Sequence, residues 1–253
     1  VGAGLVGDVD RRAHGESVAS RVPSAWFWCR AAVRVARDCR MAEAAARSSD
    51  DVDDESWDAV APGWDDDPAA RAYAAAAHRS LLTMLEAGGR GLEGRRVLDF
   101  GCGTGLLTER LADRCASIDA VDTSPAMLDV LGAKARRRGW ANVRPGAVVG
   151  SQPDAYDLIV CSSVCAFLDE YPETVAQLTS LLAPGGVFVQ WDWERDEGSG
   201  DAHGLSRSEI LGALSGAGLE SVAVDTGFDV TVDDARMRPL MGVGVKPPTP
   251  GQP

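Results

Sequence analysis

"VLDFGCGTGLLTERLA", Val97 to Ala112, sets three glycines, Gly101, Gly103 and Gly105, between an apolar run and a stretch with helical spacing. Fixing a glycine costs backbone entropy. Three of them within five positions therefore mark a chain that turns sharply while something comes close to its backbone. A strand, a tight turn and a helix start together form a nucleotide-type site. The details narrow the ligand. The dinucleotide fingerprint G-x-G-x-x-G needs a third glycine at 106, where Leu106 stands. The phosphate loop G-x-x-x-x-G-K-[ST] fails as well, because no Lys-Ser or Lys-Thr follows. What stands here is D-x-G-x-G-x-G, from Asp99 to Gly105, and a second acidic residue, Asp122, ends the next strand candidate. A carboxylate at that point can accept two hydrogen bonds from a ribose diol.

Outward from this loop the chain alternates strand and helix signals. Residues 95–100 read as a strand, 104–114 as a helix with Leu107 and Leu111 on one face, and 117–122 as a second strand. Ser124-Pro125 opens a helix to about Arg138. Residues 142–149 form a weak third strand. Residues 156–163 form a strong fourth, apolar almost throughout, as a strand covered on both faces should be. A helix over 171–183 stops at Pro184-Gly185-Gly186, and 187–193 is a fifth strand. Ser206 and Glu209 form a capping box for a helix after it. Strand candidates at 219–225 and 240–246 close the series, and 247–253 reads as a flexible tail. On the N-terminal side, Asp67-Pro68 caps a helix that ends at Gly88 or Gly89. The pattern predicts an α/β protein: a Rossmann-like, doubly wound, mostly parallel seven-stranded sheet with helices on both faces. Its ligand site belongs at the carboxyl ends of the strands. One domain is expected over 55–246.

The totals exclude several classes. A net charge of −13 over 253 residues argues against a nucleic-acid surface, which needs clustered Lys and Arg. The six cysteines, at 29, 39, 102, 115, 161 and 165, form no C-x-x-C pair and meet no His at zinc spacing, so no metal is expected. No apolar run is long enough to span a bilayer, and a cytoplasmic location is expected. Residues 1–40 differ from the rest, with seven Arg against four acidic residues. Residues 1–54 are expected to be a disordered or non-native extension. Residues 50–67 hold nine acidic residues and no basic one, yet include Trp57 and Trp64. Tryptophan is costly to leave in water, so part of this run should dock on the domain, as a flap over a pocket for example.

Four ordered motifs, "VLDFGCGTGLLTERLA", "VDTSPAMLDVL", "YDLIVCSSVCAFLD" and "LLAPGGVFVQWDW", together resemble a class I S-adenosylmethionine-dependent methyltransferase, of the small-molecule, quinone-biosynthesis type. The resemblance covers roughly 55–246. It implies S-adenosylmethionine as methyl donor, with Gly101, Cys102, Gly103, Thr104 and Gly105 beneath its methionine part and Asp99 holding the amino end. It also implies Asp122 on the ribose hydroxyls, Thr123 and Met127 beside the adenine, and Ser162 and Ser163 between donor and acceptor. Tyr73, on the first helix, would reach the methyl region. The Asp that members of this family carry after the third strand for the adenine amino group is absent. Backbone around Ala147 and Val148, or Asp154, would replace it.

Methyl transfer from a sulfonium needs alignment and exclusion of water more than acid–base groups. A base is needed only where the acceptor must lose a proton. His203 and Asp192 are the candidate bases. Strand alternation sets Asp192 on the face opposite Trp191 and Trp193. Trp64, Ser163, Phe167 and Trp191 are candidate walls for the acceptor. The expected reaction moves a methyl group to O, N or C of a small molecule, with aromatic acceptors among the candidates. The alternative is a non-catalytic cofactor-binding or regulatory protein on the same fold. Neither oligomeric state nor acceptor is written in the sequence.

Overall fold

The computed structural model describes residues 57–195 and 204–248. Expectations for 1–54, for His203 and for most of the tail lie outside them.

The elements follow in chain order. A short helix α1 (Trp57–Val60) runs into a 3₁₀ segment (Ala61–Asp66), and then α2 (Pro68–Ala87) begins. Next come β1 (Arg96–Phe100), α3 (Thr108–Leu111), β2 (Ser117–Val121), α4 (Pro125–Arg138) and β3 (Val143–Gly146). These lead to β4 (Tyr156–Ser162), a 3₁₀ turn (Cys165–Phe167), α5 (Tyr171–Ser180) and β5 (Leu182–Asp192). The last elements are α6 (Arg207–Gly216), β6 (Glu220–Thr226), the small pair β7 (Val230–Val232) and β8 (Ala235–Met237), and β9 (Leu240–Val245).

Seven strands form one sheet in the order β3-β2-β1-β4-β5-β9-β6. The pairs from β3 to β5 are parallel, and β9 pairs antiparallel with both β5 and β6. The order reverses between β1 and β4, which opens a crevice at their carboxyl ends. Alternation along the strands feeds two cores. Val97, Val160, Val189 and Trp191 pack with Tyr73, Ala77, Leu81 and Leu85, which sit at i, i+4 spacing along one face of α2. Leu98, Ile159, Cys161 and Phe188 pack with Val175 and Leu178 of α5 and Ile210 and Leu214 of α6 on the other side.

Caps fall where the sequence placed them. Asp67 accepts the Ala69 N–H at 2.7 Å, Ser124 caps α4 through the Met127 N–H, and the Ser206–Glu209 box is complete. Three local expectations change. The helix expected over 104–114 is helical only over Thr108–Leu111, because Gly105 sits in the left-handed region at φ +83° and keeps the preceding residues in turns. Leu107 and Leu111 are still buried. The strand β5 begins at Leu182, five residues before the expected start, so Pro184-Gly185-Gly186 lies within it. The hairpin of β7 and β8 was not anticipated. Beside it, Phe228 meets Tyr73 of α2 edge-to-face at 4.9 Å.

Candidate functional site

A cavity opens over the carboxyl ends of β1, β2 and β4, with about 930 Å³ of empty space counting its mouth. Its floor is the glycine loop. Gly101 and Gly105 are required there twice over. Both have positive φ, and a Cβ would stand 2.6 Å from Val164 and 2.4 Å from Leu131 respectively. They let the loop close onto the segment after β4 and onto α4. Around Gly103 the space is open: a Cβ there would meet only the Met127 sulfur, at 3.9 Å. The loop's N–H groups are largely engaged inside the protein. Gly101 and Cys102 donate to the Val121 carbonyl at 2.8 and 3.0 Å, Gly105 donates to the Cys102 carbonyl at 2.9 Å, and Gly103 donates to Asp122 Oδ2 at 2.8 Å. An anion-binding nest needs those donors free. This loop is shaped for close approach by a ligand and is poorly suited to cradling a pyrophosphate.

Two carboxylates face the cavity. Asp99, at the end of β1, is 1% exposed. Thr108 Oγ1 donates to its Oδ2 at 2.5 Å, while its Oδ1 has no protein partner. Burial pushes its pKa up to about 6, against the lowering effect of the Thr108 hydrogen bond. An uncompensated buried oxygen of this kind calls for a donor or a cation from the ligand. Asp122, at the end of β2, is raised by burial and held down by N–H donors, chiefly Ser124 and Gly103. Its oxygens accept N–H groups from Gly103, Ser124 and Thr123, and a carboxylate with about four acceptor sites retains capacity for a hydroxyl.

The lid is the 57–66 segment. Trp57 and Trp64 meet edge-to-face at 5.7 Å and both line the cavity. Two acidic side chains fasten it to the glycine loop and to α4. Asp58 accepts the Ser124 hydroxyl and, at 3.2 Å, the Ala126 N–H, at the start of α4. Asp65 accepts the Thr104 hydroxyl at 2.6 Å and pairs with the buried Lys134 at 2.6 Å. The acidic run thus docks through specific carboxylates.

The structure brings twelve of the candidate residues to one cavity: Asp99, Gly101, Cys102, Gly103, Asp122, Thr123, Met127, Ser162 and Tyr73 of the cofactor set, and Trp64, Ser163 and Phe167 of the acceptor set. Ser163 holds a left-handed φ of +60°, which is strained for a residue with a side chain. Burial raises the Tyr73 phenol well above its ordinary value, with the Asp192 charge adding to this and the Ser163 hydrogen bond opposing it.

Other candidates stand elsewhere. Thr104 and Gly105 act behind the loop, through Asp65 and Leu131. Ala147 and Val148 are exposed beyond β3, Asp154 pairs with Lys246 at 3.3 Å, and none of the three lines the cavity. Trp191 is fully buried against α2, its indole N–H donating to Ser80 Oγ at 2.9 Å, and is core rather than acceptor wall. Asp192 is fully buried on the other face, with both oxygens bonded within the protein and no exposure to the cavity. It is therefore no base for a substrate there. Burial raises its pKa to about 7. The residues not anticipated at the cavity are all apolar: Trp57, Ala70, Ala74, Leu106, Leu107, Val121 and Val164. Only Trp57 carried a signal, as a tryptophan in an acidic run.

The comparisons agree with this geometry. Residues 98–188, from β1 into β5, match the family model described as "Methyltransferase domain". The chain is 39% identical over 122 residues to a malonyl-[acyl-carrier protein] O-methyltransferase of Halalkalibacterium halodurans, a match covering 45% of each chain. It is 32% identical over 100 residues to a ubiquinone biosynthesis O-methyltransferase of Methylococcus capsulatus, covering 38% of this chain and 42% of that one. The chain thus spans less than half the length of these curated relatives. Among solved structures, the N-methyltransferase NodS of Bradyrhizobium japonicum, in complex with S-adenosyl-L-homocysteine, shares the fold with a TM-score of 0.56 at 20% identity, over 72% of this chain and 90% of that one. Through the stretch built on its glycine loop, from β1 into β5, the chain is similar to methyltransferase domains, and it shares their fold.

Proposed function

We propose that this protein transfers a methyl group from S-adenosylmethionine to O, N or C of a small molecule. The observation that carries the reading is the unpartnered, buried Oδ1 of Asp99 at the floor of the cavity. It suits the ammonium of the donor's methionine half, which would lie over the open Gly103. Asp122 then stands 19 residues on from Gly103, at the end of the neighbouring strand, where it suits a ribose diol. Thr123, Met127 and Trp57 would border the base.

The donor supplies an activated methyl group. The protein's part is to bind, align and dry the reactants. Trp64, Tyr73, Leu106 and Phe167 form an apolar wall on the remaining side of the cavity. That wall supports a flat, weakly polar acceptor, with the Ser163 and Tyr73 hydroxyls its polar contacts. No Lys, Arg or His lines the cavity among the described residues, which favours a neutral acceptor over an anionic one.

Calorimetric titration with S-adenosylhomocysteine tests the donor half, and binding is expected. Absence of binding at millimolar ligand would refute it. Transfer of labelled methyl to a panel of phenols, amines and carboxylic acids tests the acceptor half. Binding without turnover on any member would favour a non-catalytic, cofactor-binding role.

A further inference from the structure

We propose that Asp192 is a positioning residue for the methyl acceptor: its carboxylate pins the turn after β4 and so fixes the acceptor end of the cavity, leaving the donor end untouched. This rests on the proposed function, with the donor over the glycine loop and the acceptor against Phe167.

The geometry is a three-point attachment. Ser162, Ser163, Val164 and Phe167 all line the cavity, within one irregular segment between β4 and α5. Three successive residues of β5 hold that segment from beneath. The Trp191 carbonyl accepts the Ser163 N–H at 2.7 Å. Asp192 Oδ1 accepts the Ala166 N–H at 3.0 Å, and the Cys165 N–H and thiol also bond to this carboxylate. Gln190 donates its amide to Asp192 Oδ2 at 2.8 Å and accepts the hydroxyl of Tyr171, the first residue of α5, at 2.8 Å. Both ends and the middle of 163–171 are thus tied to one strand. The glycine loop touches that segment where Gly101 packs on Val164, but its hydrogen-bonding anchors are different: the Val121 carbonyl of β2, the Asp122 carboxylate and Asp65 of the lid.

The choice of side chain is informative. A buried carboxylate with no cation beside it is costly. The titratable groups facing Asp192 are Tyr73, Tyr171, Cys161 and Cys165, all neutral or acidic. A group retained against that cost is explained by what it holds. Here it holds the backbone N–H groups of a turn whose neighbour, Ser163, sits at a strained φ.

The test uses the full chain and two variants, Asp192→Ala and Asp192→Asn. The probes are S-adenosylhomocysteine for the donor end and 2-naphthol, a fluorescent flat neutral phenol, for the acceptor end of the loaded protein. In Asp192→Ala, amide exchange over 163–168 should quicken by about tenfold or more while 99–105 is unchanged, because the lost bonds are local. Affinity for 2-naphthol should fall roughly tenfold, with that for S-adenosylhomocysteine within about twofold of wild type. Asp192→Asn can keep the Ala166 N–H on its oxygen while the Gln190 amide turns about to accept from its nitrogen. It should recover 2-naphthol binding to within about threefold. Unchanged exchange over 163–168, or parallel loss of both ligands with a lower melting temperature, would overturn the proposal. Wild type that binds neither ligand overturns the functional reading instead. If Asp192→Ala does not fold, Asp192→Gln serves in its place, since a longer side chain cannot occupy the same site without moving the turn.

Discussion

Asp122 accepts the Gly103 N–H at 2.8 Å, so the carboxylate at the end of β2 and the middle of the glycine loop form one unit. Substituting Asp122 therefore removes the proposed ribose contact and frees the loop at once. Asp122→Ala should weaken S-adenosylhomocysteine binding by roughly tenfold or more, as expected for a charged double hydrogen bond. Calorimetry reads it directly, and an unchanged affinity would withdraw the ribose assignment.

The proposed contact of Asp99 with the donor's ammonium predicts a pH dependence of binding. Its pKa of about 6 in the free protein means that it is mostly protonated at pH 5 and ionised at pH 7.5. Only the ionised form attracts an ammonium. Affinity for S-adenosylhomocysteine should thus rise with pH through 6, by about tenfold between pH 5 and 7.5. In Asp99→Asn the profile should be weaker throughout and flat across that window. A wild-type profile with no inflection near 6 would remove the ammonium from this oxygen.

Asp192 makes its mark on stability. Its folded pKa of about 7 lies above the ordinary 3.8. The native state therefore holds the proton more tightly, and this stabilisation is complete below pH 3.8 and lost as pH rises through 7. Over that window the loss is on the order of 4 kcal/mol for a shift of this size. Asp192→Asn escapes it. The melting temperature of the variant minus that of wild type should climb from pH 4 to pH 8. A difference that stays constant would contradict the buried carboxylate's titration.

The lid ought to govern exchange of the donor. Lys134 is 5% exposed and pairs with Asp65, which also takes the Thr104 hydroxyl. Lys134→Met keeps the packing and removes the ion pair. Dissociation of S-adenosylhomocysteine should quicken severalfold in stopped flow, at a cost to stability of about 1–3 kcal/mol for a partly exposed partner left unpaired. An unaltered dissociation rate would mean that 57–66 does not have to move for the ligand to leave.

Gly105→Ala offers a check on the loop itself. Its Cβ would meet Leu131 Cδ1 at 2.4 Å from a φ of +83°. Strain and overpacking together should lower stability by about 1–4 kcal/mol. Thermal unfolding measures it. Gly103→Ala, at a position with space around it, should be milder in stability and harsher in donor affinity.

The succession of strands and helices in the centre was legible because β1, β2 and β4 are mainly apolar runs followed by punctuation: Phe100 before Gly101, Val121 before Asp122, Ser162 before the turn. The donor side of the cavity could be read for the same reason, since its residues sit at strand ends. The other side was legible only in part, through Trp64, Ser163 and Phe167. Ala70, Ala74 and Leu106 look like any core residues until α2 and the loop are folded together. Alternation correctly separated Asp192 from Trp191, but alternation is silent on depth. Both proved fully buried, each beneath a different layer. The hairpin at 230–237 escaped because strands of three residues are too short to show a period.

The last strand lies inside the sheet. β9 is inserted between β5 and β6, antiparallel to both. A ribosome delivers β6 before the neighbour it needs exists, so the growing chain carries β6 with both of its ladder edges bare until residues 240–245 emerge. The five strands from β3 to β5 can pair as they appear, and the part of the cavity built on β1, β2 and β4 can assemble during synthesis. Closure of the sheet waits until residues 240–245 emerge.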